Sequence, residues 1–543
     1  MRQGRQDLAA IGLLLAWGIA LLWPALGASL YSDDYTYVAL VRQAEGPLTF
    51  FAHEFPFGGY LYRPLPMIVW WLVERLSGAP SVQYLCNSLL LGLCGAALYG
   101  LLRELQWSRR AASLVAAIFM ALPGNVSAAL WLSDRFDLVA MPLAVGALTC
   151  WLRYLRRGDG TALACSGLLL AGALLSKEWA YALPPMMVLV LALGSDAGRD
   201  ASPHSTRRMV TSVTFAVMLA LVGLVWRHHL GIPLRPPHGS GYLFPDMLSG
   251  FIKWWRWLPG ALVFSGASSV SAAMSAVFDM AVLAMIAIAW RLSGRNPAVA
   301  VGVRPVIALG LGIVTLVPLI QAPHFVGTIV EFAQLDGGAS GMFVERFYFF
   351  GSAGILLLVA GSTKALVGTT GQARISTMHR VVALACMVIL AACLARSNGV
   401  ASIWPLKSGW SARIAKAAAR AAVVGAPPAG LSCRMRFLGA GDGVFSFAAE
   451  AMVKVLANDP RVDRCIIDTE SPPMFTLSHR DSLPWYRPID VPGDRTKAVG
   501  FGHWVTMPGG RGVFDNVEVL RVYCYQQIAD EFVEAGKGEA SCQ

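Results

Sequence analysis

The chain has 543 residues, of which 56% are hydrophobic and only 14% are charged. A soluble globular protein carries roughly 25% charged residues, so this composition excludes an ordinary soluble protein and indicates a polytopic membrane protein. The formal net charge of +11 does not indicate nucleic-acid binding, because cytoplasmic loops of membrane proteins collect Arg and Lys. No basic run with interleaved aromatic residues suggests a nucleic-acid surface.

The apolar runs predict an all-α membrane domain with about eleven spans, by the criterion that a spanning helix needs roughly 20 apolar residues. The N-terminal run follows basic residues, as in a signal peptide, but its apolar core is longer than a typical signal core, which favours a retained helix. The later runs fall near 82–102, 111–122, 135–152, 161–176, 179–194, 209–226, 270–290, 303–321, 347–363 and 380–395.

The connections between these runs alternate in charge, and the alternation predicts the topology. Every second connection is rich in Arg, which is typical of cytoplasmic loops. Two of the remaining connections, residues 30–80 and 227–268, contain aromatic and basic stretches that are typical of helices lying in the membrane interface. We therefore expect a cytoplasmic N-terminus and an extracytoplasmic C-terminus.

From about residue 396 the apolar runs stop, and the tail is expected to form a small extracytoplasmic α/β domain. The segments "LSCRMRFLG" and "RCIIDTE" have strand character, and "VFSFAAEAMVKVLA" between them has helical periodicity. Cysteines outside the cytoplasm can oxidise. Cys433 and Cys465 lie on adjacent predicted strands and are the expected pair, while Cys524 and Cys542 leave other pairings open. The predicted division is 1–395 for the membrane domain and 396–543 for the tail.

The first outer connection places two acids, Asp33 and Asp34, in "YSDDYTYVAL" directly after the first span. One interpretation is an interfacial belt, because Tyr favours the headgroup zone and acids there are solvated. The other is a functional cavity, because ionisable groups at membrane depth are costly and usually face one. The same two interpretations apply to the charged residues at the outer ends of later spans, namely Arg63, Asp134, Arg135, Asp137, Lys177, Glu178, Glu345 and Arg346.

Six segments in chain order resemble the membrane part of the C-superfamily (GT-C) glycosyltransferases: "SDDYTY", "YRPL", "QYLCNSLL", "SDRFDLVA", "LLSKEWA" and "VERFYFFGS". They are most similar to the O-mannosyltransferases that carry C-terminal TPR repeats. The resemblance extends over about residues 10–365 and ends before the tail, where no TPR pattern is present. It therefore carries no information about the acceptor.

The resemblance implies an enzyme that takes a sugar from a polyprenyl-phosphate carrier and transfers it, with inversion, to an acceptor hydroxyl on the extracytoplasmic face. It implies Asp33 as the general base, because the family's first-loop acid is followed by an aromatic residue four positions on, where Tyr37 stands. Asp34 is the alternative base. The candidates for binding the leaving phosphate are Arg346, Lys177 and Arg63, in that order, followed by Tyr348. The residues expected to shape the cavity are Glu178, Arg135, Asp137 and Glu345.

No cofactor is expected, although an adjacent pair of acids also suits a divalent ion. The sequence has no GxGxxG or P-loop motif and no Cys/His spacing of the zinc type. The expected partners are the lipid-linked donor, a glycan, lipid or protein acceptor, and membrane lipids, and the expected location is the bacterial inner membrane. Two other classes remain open: a polysaccharide ligase or polymerase that uses lipid-linked donors, and a transporter or flippase, which would be expected to show paired halves.

Overall fold

The structure is a computed structural model, and it describes most of the membrane part and a portion of the tail. The described residues are 2–52, 62–194, 203–232, 244–259, 272–295, 297–326, 348–368, 372–428, 431, 433–439, 443–469, 519–526 and 529–535. Their helices are α1 (Arg2–Leu22), α2 (Asp34–Gln43), α3 (Thr49–Ala52), α4 (Pro64–Leu76), α5 (Pro80–Glu104), α6 (Arg109–Ala121), α7 (Pro123–Leu130), α8 (Arg135–Arg157), α9 (Gly160–Leu174), α10 (Leu183–Gly194), α11 (Pro203–His229), α12 (Phe244–Pro259), α13 (Ala272–Arg295), α14 (Pro297–Val326), α15 (Phe349–Gly368), α16 (Gln372–Gly425), α17 (Gly443–Ala457) and α18 (Pro460–Asp463).

Seven helices in the described ranges are long and apolar enough to cross a membrane, so the chain is an integral membrane protein. An eighth span is obtained if α6 and α7 are taken together, with a bend of 59° between them. The bend falls where Pro123 opens α7, because the residue before a proline is driven out of the helical region. The expected count of about eleven spans is therefore not confirmed.

Short helices account for part of the difference in the count. The predicted runs 161–176 and 179–194 correspond to two apolar helices, Gly160–Leu174 and Glu178–Leu193, that are shorter than the seven spans. At 1.5 Å per residue a 15-residue helix reaches only about 22 Å, against roughly 30 Å of hydrocarbon. Leu170, Leu174 and Leu183 of these segments are buried, whereas Leu168 and Val188 are exposed.

The helix that begins as the last predicted span continues far beyond it. Helix α16 has 54 residues and ends at Gly425, so the division expected at residue 396 falls inside a continuous helix. Its earlier part exposes Leu384, Met387 and Val388, as a lipid-facing surface would. Its later part buries Trp404 and several alanines against the rest of the protein. The two parts of the chain are therefore joined by one continuous helix.

The tail contains a four-stranded sheet that packs against α16. Its strands are β1 (Cys433–Leu438), β2 (Cys465–Thr469), β3 (Val519–Gln526) and β4 (Glu531–Glu534), in the spatial order β2-β1-β3-β4. Strand β1 pairs in parallel with β2 and β3, and β4 is antiparallel to β3. Helix α17 connects β1 to β2, which confirms the strand–helix–strand order expected from the sequence.

A disulfide joins Cys433 to Cys465, as expected. The two residues are register partners at the start of β1 and β2, and their Cα atoms are 4.6 Å apart. This separation lies within the range that a disulfide can bridge without moving the backbone. The bond therefore links β1, an inner strand of the sheet, to the edge strand β2.

Candidate active site

The backbone turns sharply where the first outer connection begins. Ser32 is fully buried and adopts a left-handed conformation with φ of 53°. A non-glycine residue in this region costs about 1–3 kcal/mol and persists only where its surroundings enforce it. The turn places Asp33 at the N-terminal end of α2, so that this carboxylate stands at the positive end of the helix.

Asp34 lies inside the protein and holds two segments together. Its Oδ2 accepts a hydrogen bond from the Tyr31 N–H at 2.9 Å, and its Oδ1 accepts one from the Ser133 N–H at 2.8 Å. Burial raises the pKa of Asp34 well above its usual range, and the neighbouring charge of Asp33 raises it further. The geometry gives Asp34 a structural task, because the side chain is fully buried and both carboxylate oxygens bind backbone groups.

Asp33, in contrast, is partly exposed. Its Oδ1 accepts a hydrogen bond from the Trp131 indole N–H at 2.7 Å. Trp131 is buried just before the short 3-10 helix Leu132–Asp134, so the carboxylate is oriented by a rigid partner. Asp33 is thus the acid of this pair that a ligand can approach.

Arg63 and Glu178 form a bidentate ion pair between two distant parts of the chain. Arg63 Nη2 donates to Glu178 Oε2 at 2.6 Å, and Nε donates to both carboxylate oxygens at 3.0 Å. A backbone hydrogen bond from Leu65 N–H to Leu175 O, 3.4 Å long, brings the two segments together. Burial alone would raise the pKa of Glu178, but the charge and hydrogen bonds of Arg63 outweigh burial and lower it to about 2.

Lys177 pairs with Asp137 instead of its neighbour Glu178. The Lys177 ammonium donates to Asp137 Oδ2 at 2.6 Å, and the Trp179 indole donates to Asp137 Oδ1 at 2.7 Å. Burial lowers the pKa of Lys177, and the nearby charge of Arg63 lowers it further, while Asp137 opposes both effects. The adjacent residues Lys177 and Glu178 therefore form two separate ion pairs.

Arg135 is fully buried and is held by neutral groups. Its Nε donates to Asn87 Oδ1 at 2.8 Å, Nη1 donates to Gln83 Oε1 at 2.9 Å, and the guanidinium lies 4.1 Å from the Trp70 ring centroid. A third hydrogen bond, from Nη2, reaches the Gln83 carbonyl at 3.1 Å. These contacts fix Arg135 close enough to Asp34 for their charges to interact.

Aromatic contacts connect the acid loop to the cations. Tyr37, one turn after Asp33, packs edge-on against Phe136 with ring centroids 5.2 Å apart. The Arg63 guanidinium lies over the same Phe136 ring, 4.9 Å from its centroid. The described structure therefore brings Asp33, Arg63 and Lys177 into one neighbourhood, together with Asp34, Asp134, Arg135, Asp137 and Glu178.

Tyr348 is placed differently from the other candidates. It is buried, its hydroxyl donates to the Trp254 carbonyl at 2.9 Å, and its ring packs against the Trp254 indole. It belongs to a second apolar cluster formed with α12, α13 and α14. Glu345 and Arg346 lie outside the described residues, so their predicted roles stay predictions.

Arg227 is a cation that the sequence reasoning missed. It is buried at the end of α11, where it affects the pKa of Glu178 and hydrogen-bonds Tyr181. Its neighbour Trp226 donates an indole hydrogen bond of 2.8 Å to the Tyr62 hydroxyl, directly beside Arg63. The available signal was the segment "WRHH" at the outer end of a predicted span.

This part of the protein contains both cations and carboxylates. Among the described residues, no three side chains of His, Cys, Asp or Glu are grouped as metal ligands. The cations are Arg63, Lys177, Arg135 and Arg227. Glu178 pairs with Arg63 and Asp137 with Lys177, and the carboxylate of Asp33 is partly exposed. Such a site can bind a phosphate and accept a proton.

No family model and no curated protein matches the chain. Comparison with solved structures finds the oligosaccharyltransferase AglB from Archaeoglobus fulgidus, in complex with an inhibitory peptide and a dolichol-phosphate, at 11% identity and a TM-score of 0.43. That match covers 86% of this chain and 65% of AglB, so the chain spans less than two thirds of that protein. ArnT from Cupriavidus metallidurans, bound to undecaprenyl phosphate, matches at 14% identity and a TM-score of 0.41, covering 86% of both chains.

Both structures share little sequence with this chain. Their identities and TM-scores are too low to carry an argument about the activity of this chain.

Proposed function

We propose that the protein is an integral-membrane glycosyltransferase. It moves a sugar from a polyprenyl-phosphate carrier to an acceptor hydroxyl on the extracytoplasmic face, with inversion at the anomeric carbon. The observation that carries this proposal is the combination of one partly exposed carboxylate, Asp33, with buried cations in the same neighbourhood. The order of the sequence motifs supports it, because Asp33, Arg63, Arg135 and Lys177 each lie in a segment of the resemblance.

Asp33 is the proposed general base. A base must lie within hydrogen-bond reach of the proton it removes, which requires an accessible carboxylate. Asp33 is partly exposed, whereas Asp34 is buried and engaged by two backbone N–H groups. The Trp131 indole orients Asp33 without neutralising its charge, because an indole N–H is a neutral donor.

Arg63 is the proposed principal ligand of the donor phosphate within the described residues. Glu178 holds its Nε and Nη2, so the plane of the guanidinium is fixed. No hydrogen bond within the described ranges uses Nη1, whose two N–H groups can bind phosphate oxygens. Lys177 and Arg227 contribute further positive charge nearby, and the predicted role of Arg346 completes the set.

In the proposed reaction the acceptor oxygen attacks the anomeric carbon while its proton passes to Asp33. The bond between the anomeric carbon and the phosphate oxygen breaks, and the phosphate leaves with the electron pair. The leaving lipid phosphate gains negative charge in this step, and fixed cations stabilise that charge without reorganisation. Single displacement accounts for the inversion.

The central experiment compares two isosteric substitutions at adjacent acids. Asp33→Asn cannot accept the proton and should reduce transfer about 10²–10⁴-fold, while binding of undecaprenyl phosphate to the purified protein remains. Asp34→Asn should reduce stability and donor binding together, because an amide cannot accept from both backbone N–H groups.

The assay is release of undecaprenyl phosphate from a panel of undecaprenyl-phosphate hexoses, with a membrane extract as acceptor. Near-native transfer by Asp33→Asn would remove the proposed base. Movement of the lipid-linked sugar across a vesicle membrane without release of the carrier would support a transporter or flippase instead.

A further inference from the structure

The later part of α16, residues 397–425, lies beyond the resemblance and contacts the segment that carries Asp33. The Ser29 N–H donates to the Ser408 hydroxyl oxygen at 3.2 Å, across 379 residues of sequence. The Ser29 carbonyl accepts from the Tyr84 hydroxyl at 2.8 Å, and that hydroxyl accepts from the Trp404 indole at 2.8 Å. Both backbone polar groups of Ser29 are therefore held by α16, one directly and one through Tyr84.

A second line of contacts runs from α16 toward the carboxylate itself. The Trp404 ring packs against Tyr31 with centroids 5.0 Å apart, and Tyr31 packs edge-on against Trp131 at 5.9 Å. Trp131 donates the hydrogen bond that orients Asp33. Two ring contacts and one hydrogen bond thus connect Trp404 to the proposed base.

The other end of α2 is held by the tail. Arg42, in the last turn of α2, donates through Nη1 to the Val455 carbonyl of α17 at 3.3 Å. Its Nε also pairs with Glu74 of α4 at 2.9 Å. The pair with Glu74 contributes little energy by itself. The hydrogen bond to Val455 shows that α17 lies directly against the helix that begins next to Asp33.

We infer that residues 397–425 of α16, with Trp404 and Ser408 as positioning residues, hold the acid loop so that Asp33 points at its substrate. This inference rests on the proposed function, because it gives Asp33 its role as base. The backbone conformation of Ser32 gives a physical reason for this role of α16. The left-handed backbone of this residue stores strain that relaxes unless both sides of the turn are held. A misplacement of about 1 Å in a reacting group can cost about 10²-fold in rate.

The test uses Trp404→Phe, which keeps an aromatic ring but removes the indole N–H, and Ser408→Ala, which removes the acceptor for Ser29. The matched controls are Trp410→Phe and Ser402→Ala, at exposed positions of the same helix. Hydrogen exchange of the full-length protein in nanodiscs should show faster exchange in peptides covering residues 29–37 for the two test variants only. This measurement needs no substrate, so its result does not depend on the proposed reaction.

Kinetics provide the second measurement. Each test variant should lower kcat for carrier release several-fold with little change in KM for the donor, and undecaprenyl phosphate should still bind. In an Asp33→Asn background, Trp404→Phe should have no further effect on the residual rate, because a residue that acts through Asp33 is not additive with its removal.

The outcomes separate the two ideas. If the test variants match their controls in exchange and in kcat, the positioning role is wrong. If exchange increases as expected but Asp33→Asn keeps its activity, the proposed base is wrong and α16 still holds the loop. If Trp404→Phe loses donor binding as well, the exchange and kcat of Ser408→Ala decide whether the positioning role holds. That variant removes one hydrogen bond and leaves the aromatic packing intact.

Discussion

The Arg63–Glu178 pair allows a prediction whose size follows from the structure. The perturbation is Glu178→Gln, which keeps the shape of the side chain and removes its charge. In the folded protein this carboxylate accepts three contacts of 2.6–3.0 Å from one guanidinium. The substitution would leave the Arg63 charge in a largely buried position without its counter-charge, which is a costly arrangement.

The pKa of Glu178 gives the magnitude. A decrease from 4.5 to about 2 corresponds to about 3 kcal/mol of stabilisation by the ionised form. Because the folded-state pKa is depressed, this stabilisation is fully present above the unfolded value of 4.5 and is lost as the pH falls through about 2. The free energy of unfolding of wild type should therefore exceed that of Glu178→Gln by about 3 kcal/mol at pH 7, and by about 1 kcal/mol less at about pH 3.5.

The assay is equilibrium unfolding in mixed micelles between about pH 3.5 and pH 8. Glu534→Gln is the matched control, since Glu534 pairs with Arg521 and both side chains are substantially exposed. A surface pair of this kind contributes at most about 1 kcal/mol. Added undecaprenyl phosphate should also stabilise Glu178→Gln more than wild type, because an anion replaces the missing charge beside Arg63.

Three results would refute parts of this reasoning. Equal losses for Glu178→Gln and Glu534→Gln would mean that the buried pair has no special energetic weight. A difference between wild type and Glu178→Gln that stays constant across the pH range would mean that its cause is not ionisation of Glu178. A variant that gains nothing from undecaprenyl phosphate would argue against Arg63 as a phosphate ligand.

Three further predictions concern the turn, the tail and the topology. Ser32→Gly should keep or raise the melting temperature, because glycine adopts φ of 53° without strain, whereas Ser32→Val should lower it clearly. Cys433→Ser should lower the free energy of unfolding of the tail by about 3–4 kcal/mol, since the disulfide closes a loop of 32 residues; an unchanged unfolding curve under reducing and oxidising conditions would contradict this. A cysteine at Ala79 should be labelled by an impermeant reagent from outside and one at Gly160 should not, and the opposite pattern would invert the expected orientation.

The sequence alone was sufficient for features that depend on local periodicity. Long apolar runs identified an integral membrane protein, and the period-two and helical patterns of the tail gave β1, α17 and β2 in the correct order. The expected disulfide followed from the same strands, because cysteines at the starts of adjacent parallel strands can be register partners. These features need only a short window of sequence.

The count of spans and the division of the chain required the tertiary structure. An apolar run in the sequence does not show where its helix begins and ends, so the short lengths of α9 and α10 came only from the structure. Likewise, the composition near residue 396 does not show that α16 continues to Gly425. The surface of this helix changes from lipid-facing to protein-facing along its length, so the apolar run ends while the helix continues.

The roles of the charged residues also depended on tertiary packing. Asp33 and Asp34 are neighbours of identical chemistry, and only the packing of Tyr31, Trp131 and Ser133 around them makes one buried and the other accessible. Arg63 finds Glu178 across 115 residues, while Lys177 finds Asp137. Partner choice at such separations is decided by which helix ends meet in three dimensions, and helical periodicity carries no information about that meeting.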